Sequence, residues 1–145
     1  MDLSTDQRGS LAEVAIVHHL ARLGVGVLWP LTGGLRYDLA LDVGKRLLRV
    51  QCKTARRQGD VVAINSRSCR RTATGYDRRS YSAVDVDLVA AYCAELDMSY
   101  LLVPRIFAGQ STVQLRLSAP RNNQRRGIHW ASDHELAATL RALGP

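Results

Sequence analysis

The chain lacks any apolar run approaching the roughly 18 residues of a membrane-spanning helix. It also has no Cys-x-x-Cys pair. Its three cysteines, Cys52, Cys69 and Cys93, are scattered, which excludes zinc-ribbon and thioredoxin-like redox readings and leaves reduced, mostly buried thiols as the expectation. The histidines form no better metal set. His18 and His19 are neighbours that point different ways on a helix, and His129 and His134 miss the i, i+4 spacing a helical metal pair needs. There is no internal repeat, low-complexity tract or linker, so residues 1–145 are expected to form a single domain. The opening MDLSTDQRGS lacks the basic start and apolar core of a signal peptide, and a cytoplasmic protein with no membrane partner is expected.

Lysine is scarce as well. Only Lys45 and Lys53 are Lys among twenty basic residues; the rest are Arg, against thirteen acidic residues. The balance is +7, with an isoelectric point near 9.9. Part of the Arg bias can reflect genomic base composition. Even so, such a charge on a small domain argues for a polyanionic partner, and guanidinium binds phosphate in a bidentate way that ammonium cannot. With 46% hydrophobic and 23% charged residues, the chain has the composition of a globular domain rather than a disordered one.

The pattern of elements is mixed. Residues 7–23 read as an amphipathic helix, with Leu11, Val14, Ala15, His18 and Leu20 to Leu23 near helical spacing, Ser10 as N-cap, Glu13 completing a capping box and Gly24 as the stop. Strand-like segments follow at 25–29, 37–42, 45–54, 60–66, 87–93, 99–104 and 113–118, with Asp42-Val43-Gly44 as a hairpin turn. Residues 67–80 read as an Arg-rich loop and 119–127 as another. A closing helix is expected over 132–143, with Ser132 and Glu135 forming a second capping box. The expected fold class is α/β (α+β): a central mixed sheet of mostly antiparallel strands flanked by helices.

One constellation carries chemistry. Gln51 and Lys53 lie two apart on a strand and so share a face with Arg49, opposite Leu48, Val50 and Cys52. A lysine on a central strand needs a partner, because an isolated buried ammonium is costly. If the preceding hairpin brings Asp38 alongside, a carboxylate, an amide oxygen and an ammonium converge. That set suits metal-assisted phosphodiester hydrolysis, since Mg²⁺ prefers oxygen ligands and lowers the pKa of its water. The simpler alternative is an ion pair between Asp38 and Lys53.

The stretch GLRYDLALDVGKRLLRVQCKTARR resembles the PD-(D/E)XK nuclease core, in the variant where Gln replaces the second acidic residue. GSLAEVAIVHHLARLGVGVLWP is similar to that family's first helix, DLVAAYCAELDMSYLLVP to its later paired strands, and LRLSAPRNNQRRGIHWASDHE to a segment of a narrower group related to the homing endonuclease of a bacterial group I intron. The resemblance implies a restriction-endonuclease-like core. It implies Asp38 as the principal metal ligand, with Gln51 and the Cys52 carbonyl as further ligands. Lys53 takes the catalytic lysine position, and Glu13 is an outer metal contact if it is not merely part of its helix cap. The cofactor implied is Mg²⁺, with Mn²⁺ able to substitute. Tyr37 replaces the family's Pro, a variable position. Neutral Gln51 removes one charge from the site, so one dominant metal ion is expected.

The remaining Arg clusters are then candidate DNA contacts: Arg56 and Arg57; Arg67, Arg70, Arg71, Arg78 and Arg79; and Arg121, Arg125 and Arg126 around Asn122, Asn123 and Gln124. Trp29 and Trp130 read as core or interface anchors. The expected activity is a Mg²⁺-dependent endonuclease of double-stranded DNA, leaving 5′-phosphate and 3′-hydroxyl ends. Cutting two strands with one site per chain implies a homo-oligomer, a dimer or a tetramer. The rival readings are a Holliday-junction-type resolvase, which would prefer branched DNA, and a non-catalytic nucleic-acid-binding module on the same fold.

Overall fold

A computed structural model describes residues 2–65, 67–72, 75–80, 86–119, 122 and 127–144, with backbone only for 67–72 and 75–80. It opens with helix α1 (Thr5–Arg22), then strands β1 (Gly26–Leu28), β2 (Leu39–Val43), β3 (Arg46–Gln58), β4 (Val61–Asn65), β5 (Arg67–Thr72), β6 (Gly75–Ser80), β7 (Leu88–Cys93), β8 (Met98–Leu102), β9 (Thr112–Arg116) and β10 (His129–Trp130), and closes with helix α2 (Leu136–Leu143). Eight strands form one mixed sheet, antiparallel except for β3 with β7 and β9 with β10. The mixed sheet and two helices match the expected fold class.

The start of α1 differs from expectation. Ser4, not Ser10, is the N-cap: its Oγ accepts the Gln7 N–H at 3.1 Å while Gln7 Oε1 accepts the Ser4 N–H at 2.8 Å. Ser10 and Glu13 repeat the same S-x-x-E spelling one and a half turns inside the helix, where every N–H already has a carbonyl partner. The buried face also differs. It is Ala12, Ile16 and Leu20, a strict i, i+4, i+8 row, whereas Leu11, Val14 and His18 are exposed. The end is as expected. Gly24, at φ 81°, donates to Ala21 O, and Val25 N–H reaches Leu20 O, the hydrogen-bond pair that closes a helix through a left-handed glycine.

The sheet has one apolar cluster on each face. One gathers Ala12, Ile16 and Leu20 of α1 with Leu39, Leu41, Val50, Leu88, Ala90 and Leu101, and also takes in Leu136 of α2. The other includes Val62, Ile64, Val89, Ala91, Tyr100, Phe107 and Leu115. All six residues of β7 are buried, alternating between the two clusters, so β7 is the central strand. The β2–β3 turn falls at Gly44–Lys45, with Val43 still paired to Arg46 and Gly44 at φ 64°, so the hairpin turns one residue later than the sequence implied.

Two further corrections concern polar stretches. Residues 67–80, expected as a loop, form a two-stranded hairpin in which Arg70 pairs with Asp77 and Arg71 with Tyr76 in register. The closing helix starts at Leu136 and has no side-chain cap, because Ala131–His134 is a 3₁₀ turn and Glu135 bridges to Tyr100. The second capping box is therefore absent.

Ser4→Ala should cost about 1 kcal/mol of stability in urea unfolding, the usual value of a lost cap. Ser10→Ala, at an exposed helix-interior site, should stay within about 0.5 kcal/mol.

Candidate active site

The site arises from a break in one edge of β3. Val50 pairs with both Leu39 of β2 and Leu88 of β7, and Ala55 pairs with both Ile64 of β4 and Cys93 of β7. A residue has one partner per edge, so β2 and β4 share the edge opposite β7. The β2 ladder stops at Val50 and the β4 ladder starts at Ala55. Between them, Gln51, Cys52, Lys53 and Thr54 have strand β7 on one side and, among the described residues, no strand on the other.

Asp38 fills that opening. Its N–H donates to Val50 O at 2.9 Å, the last regular step of the β2 ladder. One residue's worth further on, its side chain replaces the backbone: Oδ2 accepts the Cys52 N–H at 2.8 Å. Tyr37, packed against one of the apolar clusters, anchors the residue before it. Burial raises the Asp38 pKa above its ordinary value; the Cys52 N–H opposes this, the Glu13 carboxylate adds to it and Lys53 opposes it. Two sequence-derived candidates, Glu13 and Lys53, thus act on a third, Asp38, at the opening. Gln51 lies two residues from Lys53 on the same strand face, half-buried, in register with Val89.

Glu13 is held from an unexpected side. Trp29, the residue just after β1, donates its Nε1–H to Glu13 Oε1 of α1 at 2.5 Å. Trp29 is about half exposed, so of the core and interface roles the sequence suggested, the core role does not hold. Glu13 itself, in mid-helix, takes no part in the N-cap, which removes the purely capping explanation for it. The contact joins a loop tryptophan to a helix carboxylate and has no local sequence signature.

Arg49, expected beside Gln51 and Lys53, is engaged elsewhere: its side chain lies 3.5 Å from Asp87 Oδ2, which also accepts the Arg49 N–H at 2.8 Å. Arg56 and Arg57 are exposed on the C-terminal end of β3, and Arg57 Nε donates to Gly59 O. Arg67, Arg70, Arg71, Arg78 and Arg79 lie on the β5–β6 hairpin, their side chains outside the described residues; Arg121, Asn123, Gln124, Arg125 and Arg126 are outside them altogether. Asn122 is exposed.

The donor set fits one hard divalent cation. Asp38 and Glu13 each commit one oxygen to an N–H donor and retain a second as a possible ligand, and the Gln51 amide and Cys52 carbonyl add neutral oxygens nearby. No group of three or more His, Cys, Asp and Glu lies together among the described residues, so thiolate–imidazole zinc chemistry has no site there. Burial and the two carboxylates push the Cys52 thiol well up, making it an inert packing group rather than a nucleophile.

A second polar cluster invites comparison. His19 Nδ1 lies 2.6 Å from Ser99 Oγ, and His19 Nε2 is 3.6 Å from Asp97 Oδ1, which accepts the Tyr92 hydroxyl at 2.8 Å. Ser99 is only 3% exposed, so no substrate carbonyl can reach it. The cluster ties α1 to the β7–β8 turn, and burial with the Asp97 bond pushes the Tyr92 pKa up to about 12.

The site is thus a sheet opened at one edge, with the Asp38 carboxylate set into the opening and the Glu13 and Lys53 charges acting on it. A family model for PD-(D/E)XK endonucleases matches residues 3–137, and the chain belongs to that family. Among solved structures it is similar to the bacterial homing endonuclease I-Ssp6803I, at 27% identity and a TM-score of 0.74 over 98% of both chains. No curated protein matches the chain.

A raised Asp38 pKa means that the folded state holds this proton more tightly than the unfolded state. Ionising it near neutral pH therefore costs stability, a cost that shrinks as pH falls toward 3.8. In EDTA, Asp38→Asn, which keeps an acceptor for Cys52 N–H, should raise Tm at pH 7 by a few degrees and gain nothing in acid. Added Mg²⁺ should raise the Tm of the wild type but not of this variant. Trp29→Phe, which keeps the ring but removes the donor, should weaken Mn²⁺ binding about 10-fold or more in calorimetric titration.

Proposed function

We propose that the protein is a divalent-metal-dependent endonuclease of double-stranded DNA, working as a single nuclease domain over residues 1–145 with Mg²⁺ as its ordinary cofactor and Mn²⁺ as a substitute. The observation that carries this reading is the Asp38 carboxylate set into the edge of β3, under the combined influence of Glu13 and Lys53. Asp38 and Glu13 would hold the cation, with the Gln51 side-chain oxygen and the Cys52 carbonyl completing its protein ligands.

A cation held there supplies Lewis-acid stabilisation of the phosphate and eases loss of a proton from an attacking water. The chain's own groups do the rest. Cys52 N–H and Trp29 Nε1–H fix the two carboxylates, so their geometry is set before substrate arrives. Lys53 places a positive charge where a phosphate gains negative charge during in-line attack, and it steadies Asp38 in its ionised form. Because Gln51 is neutral, the site carries less negative charge than a triple-acid site, which favours one bound cation over two.

The net charge of +7 and the exposed Arg56 and Arg57 beside the site support DNA as the substrate. I-Ssp6803I is described as a homing endonuclease, which supports the same substrate for this chain. Cleaving both strands calls for two sites and thus a homo-oligomer, dimer or tetramer. A run of exposed apolar side chains, Leu28, Trp29, Leu31 and Leu35, is consistent with a surface that another subunit covers. We place the protein in the cytoplasm, where its substrate is.

Supercoiled plasmid and a synthetic four-way junction, incubated with Mg²⁺ or Mn²⁺, test the reading. The wild type should cut the duplex plasmid, and Asp38→Ala and Lys53→Ala should each lower the rate about 100-fold or more. Preferential cutting of the junction would shift the assignment to a resolvase. Tight, salt-sensitive binding with no cleavage under any metal would shift it to a binding module.

A further inference from the structure

We propose that a groove between the first turn of α1 and the face of β3, β4 and β9 is a second phosphate site, one that grips the DNA backbone beside the bond to be cut. This assignment rests on the nuclease reading above and names a part of the binding surface that the sequence did not reveal.

The groove encloses about 330 Å³ and is lined by Arg8, Arg56, Thr5, Thr54, Gln58 and Asn65, among others, with no carboxylate in its wall. Pockets for small organic ligands are mostly apolar. This one presents two guanidiniums together with hydroxyls and amides, the donor-rich chemistry that binds phosphodiester oxygens. Next to it lies a groove that shares Arg8, Arg56 and Thr54 but also contains Glu95. Backbone hydrogen bonding, with a smaller contribution from the Arg56 charge, holds the Glu95 pKa below its ordinary value, so this second groove carries a carboxylate charge and is less suited to an anion.

Position links the carboxylate-free groove to the catalytic opening. Thr54 is the last of the four β3 residues between the β2 and β4 ladders, and with Arg56 and Gln58 it lies on the α1 face of the sheet, opposite the face shared by Gln51 and Lys53, so the link to the opening runs through α1. Arg8 precedes Glu13 on α1 by five residues, about 7.5 Å along the helix axis. The groove therefore shares α1 with Glu13, one of the proposed metal-holding carboxylates, and we assign it to a neighbouring phosphate of the same DNA strand. Both arginines are exposed at its mouth. Arg8 is the residue that sequence reading missed. It looks like an ordinary solvated charge in the first turn of a helix, and only the packing of α1 across β3 brings it to Arg56.

The test is binding of a short fluorescent duplex, followed by anisotropy in EDTA across a salt series, for the wild type, Arg8→Gln, Arg56→Gln, the double variant and Asp38→Asn. Each arginine substitution should weaken binding at all sequences and reduce the slope of log K against log salt by about 0.9, the value of one phosphate contact. Asp38→Asn should not weaken binding. An unchanged slope for Arg8→Gln, with an unchanged Tm showing an intact fold, overturns the proposal. Equal competition by inorganic phosphate at matched charge, with no preference for DNA, would also overturn it, because the groove would then be a small-anion site. The plasmid assay separates the two levels of inference. A wild type that cuts while Arg8→Gln binds normally removes the groove alone. A wild type that never cuts, but whose binding depends on Arg8, removes the nuclease reading and leaves the groove.

Discussion

The structure depends on one requirement: a buried strand must satisfy its backbone N–H groups on both edges. β3 is too long for either neighbour on its outer edge to pair with all of it. β2 serves its first part and β4 its last, which leaves four residues between them. A side-chain carboxylate can replace the missing carbonyl, and Asp38 does so at Cys52. Asp87 plays the matching part on the other edge, taking the Arg49 N–H just before β7 begins. Two aspartates thus extend the ladders of one strand, but only Asp38 sits where a helix carboxylate and a strand lysine also reach. The chemistry follows from where the sheet leaves an opening, and the opening follows from hydrogen-bond accounting.

Much of this was legible in the sequence because it is local. Alternation marked most strands of the main sheet, Gly24 marked the end of α1, and an Asp followed on the next strand by Gln-x-Lys singled out Asp38, Gln51 and Lys53. The failures share a cause. Ser10-x-x-Glu13 and Ser132-x-x-Glu135 are valid cap spellings, yet capping depends on where the backbone enters the helix. Upstream Ser4 and Gln7 took that role in one case, and a bridge from Glu135 to Tyr100 displaced it in the other. The β5–β6 pair escaped notice because its strands are mostly Arg, Ser and Thr, with no apolar alternation to read. Trp29 and Arg8 escaped because their partners are distant in the chain or meet them only across a groove. Arg49 was placed on the right face, but its proximity to Asp87 takes it out of the constellation.

The site also works against the fold around it. Asp38 is buried enough that its charge is unfavourable, and Glu13 makes it more so. Two carboxylates held close without a counter-cation are a common form of stored electrostatic cost at functional positions. Lys53 offsets part of it. The clusters on the two sheet faces, with β7 wholly buried between them, supply the rigidity that keeps the carboxylates from relaxing apart.

The parallel pairing of β3 with β7 has a consequence for the order of assembly. Arg49 and Asp87, at the start of that pairing, are 38 residues apart in the chain, and β4, β5 and β6 lie between them, with no helix among the described residues of that segment. Antiparallel neighbours such as β2 and β3 need only a tight turn to meet, whereas this contact must close a long loop first. The inner edge of β3 is therefore held by a contact of high sequence separation, and the arrangement of Asp38, Glu13 and Lys53 around that strand exists only once distant parts of the chain have met.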